Sequence, residues 1–410
     1  MSREAHADWV KPQVLRALRE QAGLTPEAVA QASRRLSRRG FATVDAAAVK
    51  QWEEGLSEPE LEHLETLSEL YGCPVGQFFL AHVRRRRLPL SFRGLAAGKE
   101  KHFSPATRLS LWRFVELAEW FATLLDEHEI EWKVEVLSAR GGPVDPRGLA
   151  DRLRRQFGFS ETVRHDWSTV QDAYDWWRRR IEVQGVFCLE LKLDPKDVRG
   201  ASRWVKGRYP FILVNRQDVE AGTGRLFTLL HEYAHLMIPE RSRAVACDSV
   251  GRANGATIEA VANQFSASVL LTPEELKRFI QRRWSSVARR RWSDQTLAQI
   301  SREFFVSKHV VALTLERCGL AAQGFYAERR LRWAQRAARY RGFGRRASVK
   351  KTERKVRELG HSAVRVLTWL HEKQLLPLLD AAGVLETKVE KLDPFLADLA
   401  GHAASTNVGE

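Results

Sequence analysis

The chain is poor in cysteine and lacks long apolar stretches. Its four cysteines, Cys73, Cys188, Cys247 and Cys318, are far apart in 410 residues and form no CxxC pair. This spacing argues against a disulfide-stabilised scaffold and against a cysteine-rich zinc ribbon, and it suits a reducing compartment. Residues 1–13 contain no apolar segment of the signal-peptide type, and no apolar run approaches the roughly 18 residues of a membrane helix. We therefore expect a cytoplasmic protein with no membrane partner.

Acidic residues are fewer than basic ones. Lys and Arg total 66 against 51 Asp and Glu, which gives a formal net charge of +15. This excess favours a polyanionic partner such as nucleic acid, although it can also be a general solvated surface. Hydrophobic residues make up 44% of the chain, enough to fill a sizeable core. The length predicts about two to four domains, at roughly 100–200 residues each.

Local patterns divide the chain into five regions. Short, closely spaced helices over residues 1–82 have the rhythm of a helix-turn-helix domain. Residues 83–103, with their arginine run, prolines and glycines, form a predicted linker. Residues 104–276 mix helix and strand patterns, and residues 277–330 are basic and again resemble a helix-turn-helix. Residues 331–410 are a predicted helical extension, so we expect an α+β fold that is mainly helical.

The region 104–276 contains the clearest elements. Apolar periodicity predicts a long helix over 104–128 and two further helices at about 224–237 and 256–271. The short apolar runs Val186–Leu189 and Phe211–Val214 are bounded by turn residues and are predicted strands.

The sharpest chemical feature is the HExxH pattern of His231, Glu232 and His235. Residues i and i+4 of a helix share one face. Both imidazoles can therefore reach one zinc ion at bond lengths of about 2.0–2.1 Å. Glu232 is placed to take a proton from the attacking water and to pass it to the leaving amine. The alternative is that the two histidines are structural and form hydrogen bonds on a core helix. Burying both histidines without a metal or other partners would be costly in free energy.

A catalytic zinc ion needs a third protein ligand. The motif has no HExxHxxGxxH continuation, because Pro239 follows it closely, so a carboxylate on a later helix is the candidate. Glu259 and Asn263 share one face of the predicted helix 256–271. We expect Glu259 to bind the metal and Asn263 to support it, the alternative being a surface glutamate on an amphipathic helix. Tyr209 and His165 are candidates for stabilising the oxyanion.

These residues resemble those of the ImmA/IrrE-type zinc metallopeptidases. The matching segments are Phe211–Asn215, Arg225–His235 and Glu259–Pro273, with Ser266 standing where the family commonly has alanine. The resemblance implies a zincin-like metallopeptidase domain with a small sheet over residues 104–276. It also implies zinc at His231, His235 and Glu259, with Glu232 as the general base. The implied substrate is a transcriptional repressor that is cut once, often in response to stress.

The amino-terminal region resembles the Cro/CI-type (XRE) helix-turn-helix domain through Leu15–Glu20, Gly23–Thr25 and Val49–Gly55. One departure is an expanded turn, predicted over Ser33–Thr43, after a helix Pro26–Ala32. We expect double-stranded DNA to be contacted by the arginines of this turn and by two polar residues of the recognition helix, namely Arg34, Arg35, Arg38, Arg39, Lys50 and Gln51. The alternative is a docking module that does not bind DNA.

A second helix-turn-helix pattern lies at Leu297–Cys318, where Ser307 is a predicted cap and Gly319 a predicted helix end. It is either a second DNA reader or a scaffold against the peptidase. Trp284, Trp292 and Trp333 stand among the arginines of this basic stretch. Such interleaving suits single-stranded nucleic acid, and it equally suits a core with a solvated basic face.

The pattern as a whole predicts a zinc-dependent endopeptidase that regulates transcription by cleaving a protein repressor. Its helix-turn-helix domain would bind DNA or dock a partner. One alternative is a DNA-binding regulator whose peptidase fold only senses a metal or ligand. Another is an antitoxin-like module of a paired system. The intact set of His231, Glu232, His235 and Glu259 favours the enzyme, because a sensor has no need of a catalytic base.

Overall fold

The computed structural model describes residues 10–81, 103–138, 145–194, 197–217, 222–238, 245–248, 258–284, 292–337 and 350–405. Among these residues the chain forms seventeen α-helices and four β-strands, so the predicted mainly helical α+β fold is confirmed. The helices are α1 (Pro12–Gln21), α2 (Pro26–Leu36), α3 (Ala46–Glu54), α4 (Leu61–Tyr71), α5 (Pro105–Glu127), α6 (Pro146–Gln156), α7 (Glu161–His165), α8 (Val170–Val183), α9 (Thr223–Met237), α10 (Ile258–Leu270), α11 (Pro273–Arg283), α12 (Asp294–Glu303), α13 (Lys308–Arg317), α14 (Phe325–Ala337), α15 (Lys351–Glu372), α16 (Leu378–Leu385) and α17 (Leu392–Ser405). The strands are β1 (Phe187–Leu191), β2 (Val198–Val205), β3 (Tyr209–Asn215) and β4 (Val245–Asp248).

Helices α1–α4 enclose their own hydrophobic core, to which each contributes buried residues such as Leu15, Val29, Val49 and Leu67. Helix α2 begins where the sequence predicts. The Thr25 hydroxyl accepts a hydrogen bond from the third residue of the helix, and Pro26 occupies the first turn, where no N–H is needed.

The turn between α2 and α3 is shorter than the sequence predicts. The prediction placed an expanded turn over Ser33–Thr43, but α2 continues to Leu36 and a 3-10 helix follows over Ser37–Arg39. Arg34 and Arg35 therefore lie in the last turn of α2 and not in a loop. The predicted end of this helix at Ala32 is wrong by one helical turn.

The Ser33 side chain explains why the helix continues. Its hydroxyl is buried, donates to the carbonyl of Ala30 within the helix, and accepts a hydrogen bond from the Val44 N–H. A serine with these partners is satisfied in helical conformation and needs no turn. The chain reverses later, at Gly40, whose φ of 89° favours glycine.

The four strands form one sheet in the order β1-β3-β2-β4. Strand β1 is parallel to β3, whereas β2 is antiparallel to both β3 and β4. Strands β1 and β3 contain the two predicted apolar runs, and both predictions are confirmed. Strand β2 was missed because Arg199, Gly200, Ser202 and Arg203 interrupt its apolar residues, so the segment has neither an apolar run nor a strict alternation.

The sheet separates two hydrophobic cores. Cys188, Ile212 and Val214 face α9 and α10 on one side, whereas Phe187 and Phe211 face α5, α15 and α17 on the other. Successive strand residues point to opposite faces, so each strand contributes to both cores. Helices α9 and α10 therefore pack on one face of a sheet whose other face is covered by α5, α15 and α17.

The second helix-turn-helix-like unit, α12 with α13, belongs to the core that also contains α9. Its buried residues include Leu297, Ile300, Val311 and Leu315. Ser307 caps α13 and Gly319 follows it at a φ of 71°, so both predicted ends are confirmed. Among the ten residues of α13, only Arg317 is exposed. This arrangement favours the scaffold alternative, because the rest of α13 is buried or partly buried against the protein.

The three tryptophans of the basic stretch also pack inward. Trp292 is buried and donates from its indole to the carbonyl of Leu320, while Trp284 and Trp333 lie partly buried against the same core. None of the three is an exposed stacking platform for bases. The core they join spans the predicted boundary at residue 276, and the domain boundaries themselves stay a prediction.

The carboxy-terminal helices cover the back of the sheet. At Gly360, where α15 kinks with a φ of 81°, a Cβ atom would lie 2.6 Å from the carbonyl oxygen of Cys188, so only glycine fits. Ser362 is buried beside this point, and its hydroxyl donates to the carbonyls of Glu182 and Val186. The extension is therefore packed closely against α8 and β1.

None of the described helices is both long and apolar enough to span a membrane. Most of the predicted linker 83–103 lies outside the described residues, so its conformation stays a prediction.

Candidate metal centre

Helix α9 carries the HExxH residues in a buried position. Its apolar residues Leu226, Leu229, Leu230 and Tyr233 are all fully buried in the core beneath the sheet. Gly222, with a φ of 80°, precedes the helix and allows the chain to turn into it. The histidines and Glu232 therefore sit on a helix whose position is set by packing on several sides.

The two histidines and Glu259 converge in the structure. His231 Nε2 lies 3.1 Å from His235 Nε2, one helical turn away. Helix α10 brings Glu259 across from them, with one carboxylate oxygen 3.2 Å from His231 Nε2 and the other 3.2 Å from His235 Nε2. The Glu259 side chain is 24% exposed, so the cluster opens to solvent on that side.

These distances fit a tetrahedral zinc ion. With bonds of about 2.0–2.1 Å, neighbouring ligand atoms of a tetrahedral site lie about 3.3 Å apart. The two imidazole nitrogens lie 3.1 Å apart, close to that spacing, and each lies 3.2 Å from a different oxygen of the Glu259 carboxylate. Two imidazole nitrogens and a carboxylate are also a donor set that zinc accepts, with a fourth position left for solvent or substrate. His231, His235 and Glu259 are thus suited in chemistry and spacing to hold the ion.

The electrostatics of the cluster stabilise a carboxylate beside imidazoles. Burial alone would raise the pKa of Glu259, but hydrogen bonds and charge interactions with His231 and His235 outweigh it and hold that pKa well below its usual range. Burial would lower the pKa of His231, whereas Glu259, Glu232 and Asn263 together raise it. Glu259 is therefore an ionised oxygen donor, the form that binds a metal.

Asn263 lies where it can support the cluster, although its partner differs from the one expected. The sequence placed it beside Glu259 on the same helical face. In the structure its side chain hydrogen-bonds to His231. A hydrogen bond to a ligand histidine orients the ring, which is a common role for residues that surround a metal site. Whether Asn263 has that role stays a prediction.

Glu232 is fully buried next to the cluster, and strand β2 supplies one of its hydrogen bonds. The hydroxyl of Ser202, itself buried, donates to Glu232 Oε2 over 2.9 Å. Sequence reasoning missed Ser202, because its strand was not predicted and a serine in a strand carries no motif. Only the pairing of β2 with β3, which sets its face toward α9, brings this hydroxyl to the glutamate.

The structure separates Tyr209 from the site. Its ring packs in the core on the opposite face of the sheet, and its hydroxyl donates to Asp126 over 2.6 Å. Tyr209 is therefore not placed to stabilise an oxyanion beside His231. His165 is exposed at the end of α7.

The predicted DNA-contacting residues lie on α2, α3 and the turn between them. All those whose side chains the structure describes are exposed: Arg34, Arg35, Arg38, Lys50 and Gln51. The side chain of Arg39 lies outside the described part. Along α3 the exposed residues are Ala47, Lys50, Gln51 and Glu54, a single stripe at helical spacing.

Lys50 is engaged within the protein. Its ammonium lies 2.8 Å from a carboxylate oxygen of Glu27 on α2, and both side chains are exposed. An exposed ion pair of this kind is weak, so DNA phosphate can compete for the lysine. Gln51 remains the base-reading candidate of the stripe, since an amide can bond bidentately to adenine.

Two models of known domain families match the chain. The model described as the IrrE N-terminal-like domain, of peptidase M78, matches residues 181–316, and that of a helix-turn-helix domain matches residues 13–77. No curated protein sequence matches significantly. The two matches confirm both resemblances seen in the motifs. A helix-turn-helix domain followed by a peptidase-like domain fits a DNA-binding regulator, and the peptidase match indicates a metal cofactor.

Proposed function

We propose that the protein is a zinc-dependent endopeptidase that regulates transcription by cleaving a protein repressor in the cytoplasm. The observation that carries the proposal is the convergence of His231, His235 and Glu259 at distances of 3.1–3.2 Å, next to the buried Glu232. The match of the surrounding residues to a peptidase domain supports the same reading.

Each residue of the cluster has a defined task. His231, His235 and Glu259 hold the ion. Zinc, when bound, supplies a Lewis acid that polarises the scissile carbonyl and promotes ionisation of water. Glu232 accepts the proton of the attacking water and later donates it to the leaving amine. The burial of Glu232 keeps bulk water from competing for that proton.

Metal content tests the ligand set. The purified protein should hold about one zinc ion per chain, and His231→Ala and Glu259→Ala should each lose it. His63→Ala is the matched control, because His63 lies with Glu60 and Glu62 in another group of close ligand atoms, on the amino-terminal domain. Full zinc retention by Glu259→Ala would show that the third ligand is a different residue.

Glu232→Gln separates an enzyme from a sensor. The variant keeps the shape of the side chain and should keep zinc and fold, while cleavage falls by a factor of roughly 10² or more. Cleavage is measured on a purified candidate repressor and, without bias, as new amino termini in a cell extract. A variant that still switches its target genes normally would favour the metal-sensing regulator.

The helix-turn-helix domain is the DNA-binding part of this proposal. Its affinity for DNA should fall steeply with salt, because arginines that contact phosphates release counterions. Gln51→Ala should weaken sequence preference by about 1–3 kcal/mol, the usual contribution of a bidentate base contact. No binding at low salt would instead leave this domain as a protein-docking module.

A further inference from the structure

Strand β2 and helix α9 run side by side with matched spacing. Ser202 donates to the Glu232 carboxylate over 2.9 Å, and the indole of Trp204, two residues on, donates to the carbonyl of Leu236 over 3.3 Å. Four residues of helix advance about 6 Å, and two residues of strand advance about 6.6 Å. Because the two steps nearly agree, one face of β2 meets α9 once per helical turn.

The residue before this pair on the same face is Gly200, and it has to be small. A Cβ atom there would lie 2.5 Å from Thr228 Cγ2 and 2.9 Å from Glu232 Oε1. The strand therefore approaches the helix closely at Glu232, with a glycine beside one carboxylate oxygen and a serine hydroxyl on the other. Both Ser202 and Glu232 are almost completely buried, at 2% and 0% exposure.

We propose that Ser202 is a positioning residue for Glu232, which holds the carboxylate in the one orientation that lets it move the proton. This inference rests on the proposed peptidase function. Ser202 touches neither His231, His235 nor Glu259 among the contacts described, so its role is separate from metal binding. The hydroxyl acts through Glu232 and not on the substrate.

The physical reason is the length of the glutamate side chain. Glutamate has three rotatable bonds, and ordering such a side chain carries a substantial entropic cost. On α9 the backbone fixes only where the side chain begins. A hydrogen bond at the carboxylate end fixes where it finishes, and a misplacement of about 1 Å can lower a rate by about 10²-fold.

Ser202→Ala tests the proposal through a split between kinetic constants. We expect kcat for repressor cleavage to fall about 10- to 100-fold, with KM changed by no more than about twofold, because substrate binding does not use the hydroxyl. Zinc content should stay at the wild-type level. Ser202→Thr keeps a hydroxyl on a residue that suits strands and should restore most of kcat.

Ser362→Ala is the matched control. Ser362 is equally buried, at 1% exposure, and its hydroxyl bonds to the backbone carbonyls of Glu182 and Val186. It reports what the loss of a buried hydroxyl does to the fold alone. Ser202→Ala should melt within a few degrees of Ser362→Ala, and only Ser202→Ala should lose kcat.

A double-mutant cycle tests the contact without any activity measurement. Ser202→Ala, Glu232→Ala and the double variant are compared by melting temperature; alanine is used at Glu232 because a glutamine oxygen would still accept the hydrogen bond from Ser202. If the hydroxyl and the carboxylate hold one another, the shift of the double variant will differ from the sum of the single shifts. Additive shifts would overturn the proposal.

Two kinetic outcomes would also overturn it: a kcat of Ser202→Ala equal to that of Ser362→Ala, or a Ser202→Thr variant as slow as Ser202→Ala. A loss of zinc by Ser202→Ala would assign the serine to metal binding instead. If the wild-type chain cleaves nothing, the proposed function fails and this inference with it. The melting cycle still reports the hydrogen bond in that case, so the two failures are distinguishable.

Discussion

Two helix pairs in this protein look alike in sequence and differ in their surroundings. In the first, α2 with α3, the second helix exposes Ala47, Lys50, Gln51 and Glu54 along one stripe. In the second, α12 with α13, the second helix exposes only Arg317. The first pair packs in the small amino-terminal core, whereas the second shares its core with the helix that carries the HExxH residues.

A helix-turn-helix pattern therefore predicts a pair of helices but does not predict that the second helix has a free recognition surface. Both pairs have a hydroxyl cap at a helix start, Thr25 on α2 and Ser307 on α13. Those signals are local and are satisfied in either setting. Whether the second helix can enter a DNA groove depends on what covers its outer face, which is decided by distant parts of the chain.

Removal of the metal should produce the largest difference between the two helix pairs, measured as a change in their hydrogen exchange. If zinc binds the α9 cluster, a free concentration about 1,000-fold above Kd stabilises the surrounding unit by about 4 kcal/mol. Chelation should therefore raise hydrogen exchange in α12 and α13, which share the core of α9, and leave α2 and α3 unchanged. Mass spectrometry of exchanged peptides gives both values in one experiment. Equal changes in the two pairs would contradict the comparison.

Matched substitutions in the two hydrophobic cores should have the next largest effect. Val49 in α3 and Val311 in α13 are both buried, at 1% and 0% exposure. Val49→Ala and Val311→Ala should each cost about 2 kcal/mol through lost apolar contact and a residual cavity. Val311→Ala should also speed zinc loss, because it loosens the core beneath α9, whereas Val49→Ala should weaken DNA binding only. Zinc release and DNA affinity are measured on both variants. Faster zinc loss from Val49→Ala, or weaker DNA binding by Val311→Ala, would contradict the prediction.

Surface charges should affect DNA binding from one pair only. Arg34→Gln with Arg35→Gln should lower affinity about tenfold at moderate salt and reduce the slope of log affinity against log salt by about one per lost phosphate contact. Arg302→Gln with Arg317→Gln, which removes the same charge from the second pair, should change neither value. A loss of affinity in the second double variant would mean that α12 and α13 contact DNA after all.

Loss of a helix-capping hydroxyl should have the smallest effect on stability. The loss should be of similar size in both helix pairs. Thr25 accepts from the Ala28 N–H and Ser307 from the Val310 N–H. Thr25→Ala and Ser307→Ala should each lower stability by about 1 kcal/mol, measured by chemical denaturation. Only Thr25→Ala should also weaken DNA binding, because it destabilises α2, the helix whose last turn carries Arg34 and Arg35.

Prediction from sequence worked best where the signal lies within one helix or one strand. The HExxH helix, the cap at Thr25 and the apolar strands β1 and β3 follow from spacing alone. It failed at β2, where polar residues and a glycine interrupt the apolar pattern of a strand that pairs on both sides, and at the end of α2, where the Ser33 hydroxyl bonds to Val44. In both cases the deciding partner lies outside the local pattern.

The amino-acid sequence is enough to place His231 and His235 on one face of a helix, because residues four apart lie about one turn apart. It also determined that a buried set of two histidines and a glutamate would need partners. The identity of those partners follows from how the helices and the sheet pack together. Glu259 reaches the histidines because α10 packs across α9, and Ser202 reaches Glu232 because β2 lies in the sheet beside it. The spacing of residues within one helix or strand cannot predict such contacts. Each contact joins segments more than twenty residues apart and depends on how whole elements pack.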